Sequence, residues 1–175
     1  MKHLAPCVAL IVCLGLPACS KLTEAEKNGL PKEVSTAVEA ESGKLVSEAE
    51  FALQLRDAAR AEKALAQAVK LRSDIPEWWL LLGSTQKTLG QTGDARSSYK
   101  KALALHARRY ELTQREEFIL PQLLDLVLLG RDDDARELLA DAAKDHPDSL
   151  PIKKMVEAGV VDRLVADPQV KERRL

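Results

Sequence analysis

Catalysis needs a nucleophile beside a base, a metal cluster, or two acids held in unlike surroundings. Beyond residue 19 the chain has two imidazoles, His106 and His146, and no thiol. By the periodicity set out below, they occupy the same place at the end of a helix in successive repeats. An imidazolium there meets the negative end of the helix dipole, so both read as capping residues. A shared metal would need the two rings brought together across a whole helix pair. The run Asp132-Asp133-Asp134 invites calcium, but the central glycine and terminal glutamate of the EF-hand spacing are missing. Three acids at a helix start serve capping and the dipole. Gly90 and Gly93 flank a helix turn instead of following a strand, so they build no phosphate cradle. Lys171, Glu172, Arg173 and Arg174 read as part of a solvated tail over residues 168–175. The expectation is no enzyme, no cofactor, no metal and no small-molecule substrate. The formal charge is −1, which gives no electrostatic case for nucleic acid.

The N-terminus carries chemistry of a different kind. Met1 and Lys2 are positive, and Leu4 to Ala18 is an apolar run without a charge. A helix crossing a bilayer core takes roughly 20 residues, more than this run supplies, so residues 1–18 read as a cleaved export signal. Leu16-Pro17-Ala18-Cys19 resembles the lipobox of bacterial lipoproteins, with Pro17 where that family carries a small or β-branched residue. The resemblance implies a lipid thioether on Cys19, cleavage on its N-terminal side, and anchoring by several acyl chains, since one alone is marginal. Ser20 in place of aspartate implies the outer membrane, facing the periplasm. Cys7 and Cys13 then leave with the signal as small apolar residues, and no disulfide can form. Residues 19–42 read as a tether. It is polar up to Asn28-Gly29, and Pro31 opens a short helix that Gly43 ends.

Ala, Leu, Glu, Lys and Arg dominate and aromatics make up only 3%, which favours helices and predicts almost no strand. The chain also repeats itself. Ala61, Leu65, Ala68, Val69 and Leu71 return at one constant offset as Ala95, Tyr99, Ala102, Leu103 and Leu105. A second, longer offset sets Leu89-Gly90, Ala95, Tyr99, Ala102 and His106 on Leu129-Gly130, Ala135, Leu139, Ala142 and His146. A period of about 34 residues, that of the first offset, means paired helices. Trp79, Leu82 and Gly83, followed by Gly90, Ala95, Tyr99 and Ala102, resemble the tetratricopeptide repeat (TPR). Small residues at Gly83, Ala95 and Ala102 let helix backbones approach, while Trp79 and Tyr99 fill the wider gaps.

This frame predicts an all-α chain, an α-solenoid of about three TPR-like helix pairs over residues 43–167. The pairs run from Gly43 to Ser73, Asp74 to Arg108 and Thr113 to Pro147, with a capping helix from Leu150 to about Ala166 closing the stack. In the third pair Thr113-x-x-Glu116 supplies a capping box, Pro121 predicts a kink, and Asp132 starts the second helix.

In the repeat family the first helices line a concave groove. The resemblance places Glu50 and Leu53, then Glu77, Leu80, Ser84 and Lys87, then Glu117, Leu120, Leu124 and Val127 on that groove. Family members that clamp a C-terminal carboxylate use lysine, asparagine and arginine at these places, so Leu80, Ser84, Leu120 and Leu124 argue against that mode. An apolar groove suits an amphipathic helix or extended segment from a partner. The expectation is a lipid-anchored adaptor of the bacterial cell envelope that binds envelope proteins or peptides. A free periplasmic chaperone without lipid is the alternative. The covering of those leucines by a terminal helix is the competing packing.

Overall fold

A computed structural model describes residues 32–175. The export signal, Cys19 and most of the tether lie outside the described residues. Among the described residues nine α-helices follow in order: α1 (Thr36–Gln54), α2 (Ala58–Leu71), α3 (Pro76–Thr88), α4 (Thr92–Thr113), α5 (Ile119–Leu128), α6 (Asp132–Asp145), α7 (Leu150–Glu157), α8 (Val160–Ala166) and α9 (Pro168–Arg173). A 3-10 turn over Glu116–Phe118 leads into α5. The same described residues hold no strand, and none of their helices is long and apolar enough to cross a membrane.

Helix starts obey local chemistry. Ser35 Oγ accepts the Val38 amide at 3.3 Å, Asp57 Oδ1 accepts that of Arg60 at 3.0 Å, and Ser149 Oγ accepts that of Ile152 at 3.2 Å. Pro76 stands in the first turn of α3, where its missing N–H costs nothing. Asp132, Asp133 and Asp134 fill the first turn of α6, at the positive end of its dipole.

The helices pack in sequence as pairs, α1 on α2, α3 on α4 and α5 on α6, with α2 against α3 and α4 against α5. The turn inside each pair has the same hydrogen bonds. Leu55, Leu89 and Leu129 donate to the carbonyls of Phe51, Thr85 and Asp125, and Asp57, Gln91 and Arg131 donate to those of Ala52, Gln86 and Leu126. The residue between them is left-handed each time, Arg56 at φ 60°, Gly90 at φ 76° and Gly130 at φ 75°. Glycine takes that conformation freely and arginine does not.

The close-contact alanines face inward. Ala61, Ala68, Ala95, Ala102 and Ala135 are fully buried, Ala142 nearly so, and the larger residues Leu65, Tyr99 and Leu139 sit beside them in the core. Gly83 explains itself, because a Cβ there would lie 2.6 Å from Tyr99 Cδ1 and Cε1. Trp79 is half-buried and ties its indole N–H to the Ser73 carbonyl at 2.9 Å. Leu82 is buried against the alanine-rich core of α1 and α2, while a leucine-rich core spans α4 to α9.

Several expectations need correcting. No helix ends at Gly43: α1 runs unbroken from Thr36 through it, and the space around its Cβ position is open. Thr113 closes α4 instead of capping the next helix, its hydroxyl donating to the Arg109 carbonyl at 2.7 Å. Pro121 kinks nothing, because α5 begins at Ile119 and the proline falls in its first turn. The single capping helix is two, divided at Gly159 with φ 56°. Residues 168–175 are no solvated tail. Asp167 Oδ1 accepts the amides of Gln169 at 2.7 Å and Val170 at 3.2 Å to start α9, which packs on α3, α5 and α8.

Candidate functional site

The apolar run Ile119 to Leu128 carries one carboxylate, Asp125, and packing turns it inward to full burial. Its partner comes from α4. His106 Nδ1 lies 2.7 Å from Asp125 Oδ2, and His106 Nε2 lies 3.7 Å from Glu77 Oε1 of α3. Arg109, one turn beyond His106, donates to Glu77 at 3.2 Å. Burial works against the imidazolium, but the hydrogen bonds to Asp125 and Glu77 outweigh it and hold the His106 pKa above its ordinary 6.5. Burial dominates at Asp125 and lifts its carboxyl above the usual range although His106 pulls it down. Glu77 is held low by its contact with His106, against burial and with help from Arg109.

The place expected for His106 therefore needs correction. α4 continues to Thr113, so the ring sits inside the helix, 3% exposed, and caps nothing. His146 does cap α6, but its Nε2 faces the Tyr110 hydroxyl at 2.7 Å. The two histidines are not brought together. Among the described residues no group of three or more His, Cys, Asp or Glu side chains is placed to hold a metal ion. The aspartate triplet is spent on ion pairs, Asp132 with Arg174, Asp133 with Arg136 and Asp134 with Arg131.

His106 and Glu77 form the polar corner of a mostly apolar hollow of about 430 Å³, walled by Leu80, Leu120, Pro121, Leu124 and Leu164, with Glu117 at its edge. Among the described residues no hydroxyl or thiol lines it. A second hollow of about 640 Å³ adjoins it, lined by Gln114, Arg115, Glu116, Pro151 and Met155, and the two share Glu117 and Leu120. Leu120, 44% exposed, stands on the ridge between them.

Of the residues expected on the groove, the structure brings Glu77, Leu80, Glu117, Leu120 and Leu124 together on the first hollow. Lys87 is half-buried on the last turn of α3, away from either hollow. Ser84 and Val127 are buried. Tyr99 OH donates to the Arg173 carbonyl of the C-terminal segment at 2.8 Å, and Ser84 Oγ lies 3.3 Å from the same phenol oxygen. Beside Val127, the Leu128 carbonyl accepts the Leu175 amide at 3.0 Å. The C-terminal helices therefore close one end of the groove, and Leu164 of α8 reaches the hollow at the other.

Sequence reasoning missed Asp125 and the docking of the C-terminus. A lone aspartate inside an apolar helix signals a buried partner, and Asp167-Pro168 is a helix-start signature. Neither signal names the contact it makes. Compared with models of known protein families and with curated proteins, the chain matches none.

Proposed function

We propose that the protein is an envelope adaptor: a lipid on Cys19 holds it at a membrane, and the inner face of three TPR-like helix pairs binds protein partners. The observation that carries this reading is the meeting of Leu80 from one pair with Leu120 and Leu124 from the next on one apolar hollow. An apolar recess with a few convergent polar groups is the usual form of a binding site. The identical turns at Arg56, Gly90 and Gly130 support the repeat register behind it. Leucines wall most of the hollow, with His106, Glu77 and Glu117 as its polar groups, a lining that suits an apolar partner segment. Binding is the reading this lining supports.

Capture from detergent-solubilised envelope, with the native protein and with Leu80→Glu/Leu124→Glu, tests the groove. Partners held by the native protein and lost by the variant support it; identical partner sets sink it. Intact mass of the purified protein tests the anchor. A mass that includes acyl chains on Cys19 is expected, whereas an unacylated start beyond Cys19 would leave the free periplasmic chaperone.

A further inference from the structure

Residues 160–175 lie where the reading above puts a partner. α9 crosses α3 and α5, the first helices of the second and third pairs, and α8 packs on α5 and α6. α8 buries Val161 at 3% exposure and packs Leu164 and Val165 on the core, but α9 is held more lightly. Only Val170 of α9 is buried, at 4% exposure. Two main-chain bonds follow it, Arg173 carbonyl from Tyr99 OH at 2.8 Å and Leu175 amide to the Leu128 carbonyl at 3.0 Å. Any sequence can make those two bonds. The last contact is an ion pair, Arg174 to Asp132 Oδ2 at 2.8 Å. It uses one oxygen of the carboxylate, and the other, Oδ1, is buried without a hydrogen-bond partner. A guanidinium approaching fork to fork would satisfy both.

Within the segment Asp167 caps α9, but both helices are short. α8 has seven residues and α9 six, far below the length at which a helix holds by itself. Gly159, left-handed at φ 56°, separates it from α7.

We infer that residues 160–175 are an exchangeable occupant of the groove, and that the face under Val170 docks a short amphipathic segment supplied in trans. That segment presents a branched aliphatic side chain and, one helical turn later, a guanidinium, the pattern of Val170 and Arg174. The inference rests on the adaptor reading for the use of this face, but its test does not depend on any envelope partner. The segment covers one end of the groove in the resting protein, and a partner competes with it there.

The probe is a labelled peptide of residues 160–175, followed by fluorescence anisotropy with the full chain. Val170→Asp in the chain loosens the resident segment, so the variant is expected to bind the peptide about tenfold more tightly than the wild type. A peptide carrying the same Val170→Asp change should bind neither chain. Equal affinity for both chains, or no binding by a variant whose helical circular dichroism matches the wild type, overturns the inference.

Should that variant lose its fold, Arg174→Ala repeats the comparison at a partly exposed pair, with the same two overturning outcomes. Hydrogen exchange on the wild type adds an independent reading. Amides of residues 168–175 should exchange through local opening, well before those of α5. Exchange only with global unfolding would make the segment permanent and end the proposal. A wild-type dimer with exchanged C-termini, seen by sedimentation, would make a second copy the occupant and overturn it too. If the peptide exchanges as expected while Leu80→Glu/Leu124→Glu captures unchanged partners, the adaptor reading fails and the exchangeable segment stands.

Discussion

His106 and Asp125 form a buried hydrogen-bonded pair whose halves cost more apart than together. Removing one partner strands the other, so Asp125→Ala should cost about 3 to 5 kcal/mol, read as a fall in the denaturation midpoint. The pair also gives stability a pH slope. His106 is raised in the folded protein, so its contribution is complete below the ordinary pKa of 6.5 and is lost as pH rises through the folded value. The melting temperature should therefore fall as pH climbs above 6.5, and His106→Gln should flatten that stretch of the profile. A slope that persists in the variant would place its source elsewhere. Gly83 is the other residue whose identity is forced. Gly83→Ala drives a methyl into the Tyr99 ring, and overpacking of this kind costs about 1 to 3 kcal/mol, measured by urea unfolding.

The turns between paired helices are one device used three times, and the first copy is imperfect. Arg56 stands at φ 60° where Gly90 and Gly130 stand at φ 76° and φ 75°. Arg56→Gly should stabilise the protein by about 1 kcal/mol, since the left-handed penalty of an L residue exceeds the entropy a glycine loses. No change in the urea midpoint would mean that the Arg56 side chain makes a compensating contact. The glycine frame of the later repeats was plain in the sequence, and the structure puts arginine at its missing member because the hydrogen bonds around it fix the backbone whatever the side chain. Pro121 went the other way. Its ring excludes the α-helical interior, yet the chain meets that constraint by starting α5 at Ile119, behind a 3-10 turn, so no kink is needed.

Across the whole molecule the stack is uneven. The core of α1 and α2 is built chiefly of Ala49, Ala52, Ala61 and Ala64, whereas that of α5 onward has Ile119, Leu123, Leu126 and Leu128. Less apolar area leaves water per residue in the first pair. Amides of α1 should exchange faster than those of α5 in hydrogen-exchange mass spectrometry. Equal protection would show that the described residues open as one unit.

Alanines and large apolar residues recurring at two constant offsets were enough by themselves to indicate paired helices, the turns at Gly90 and Gly130 and the inward faces of Ala61, Ala95 and Ala135. Each pair repeats a local pattern, and periodicity is visible within one chain. The union of His106 with Asp125, 19 residues away, and the docking of Arg173 on Tyr99, 74 residues away, were decided only by the tertiary structure. Contacts of that kind join single residues without a period, and each depends on where the helices between them have already packed.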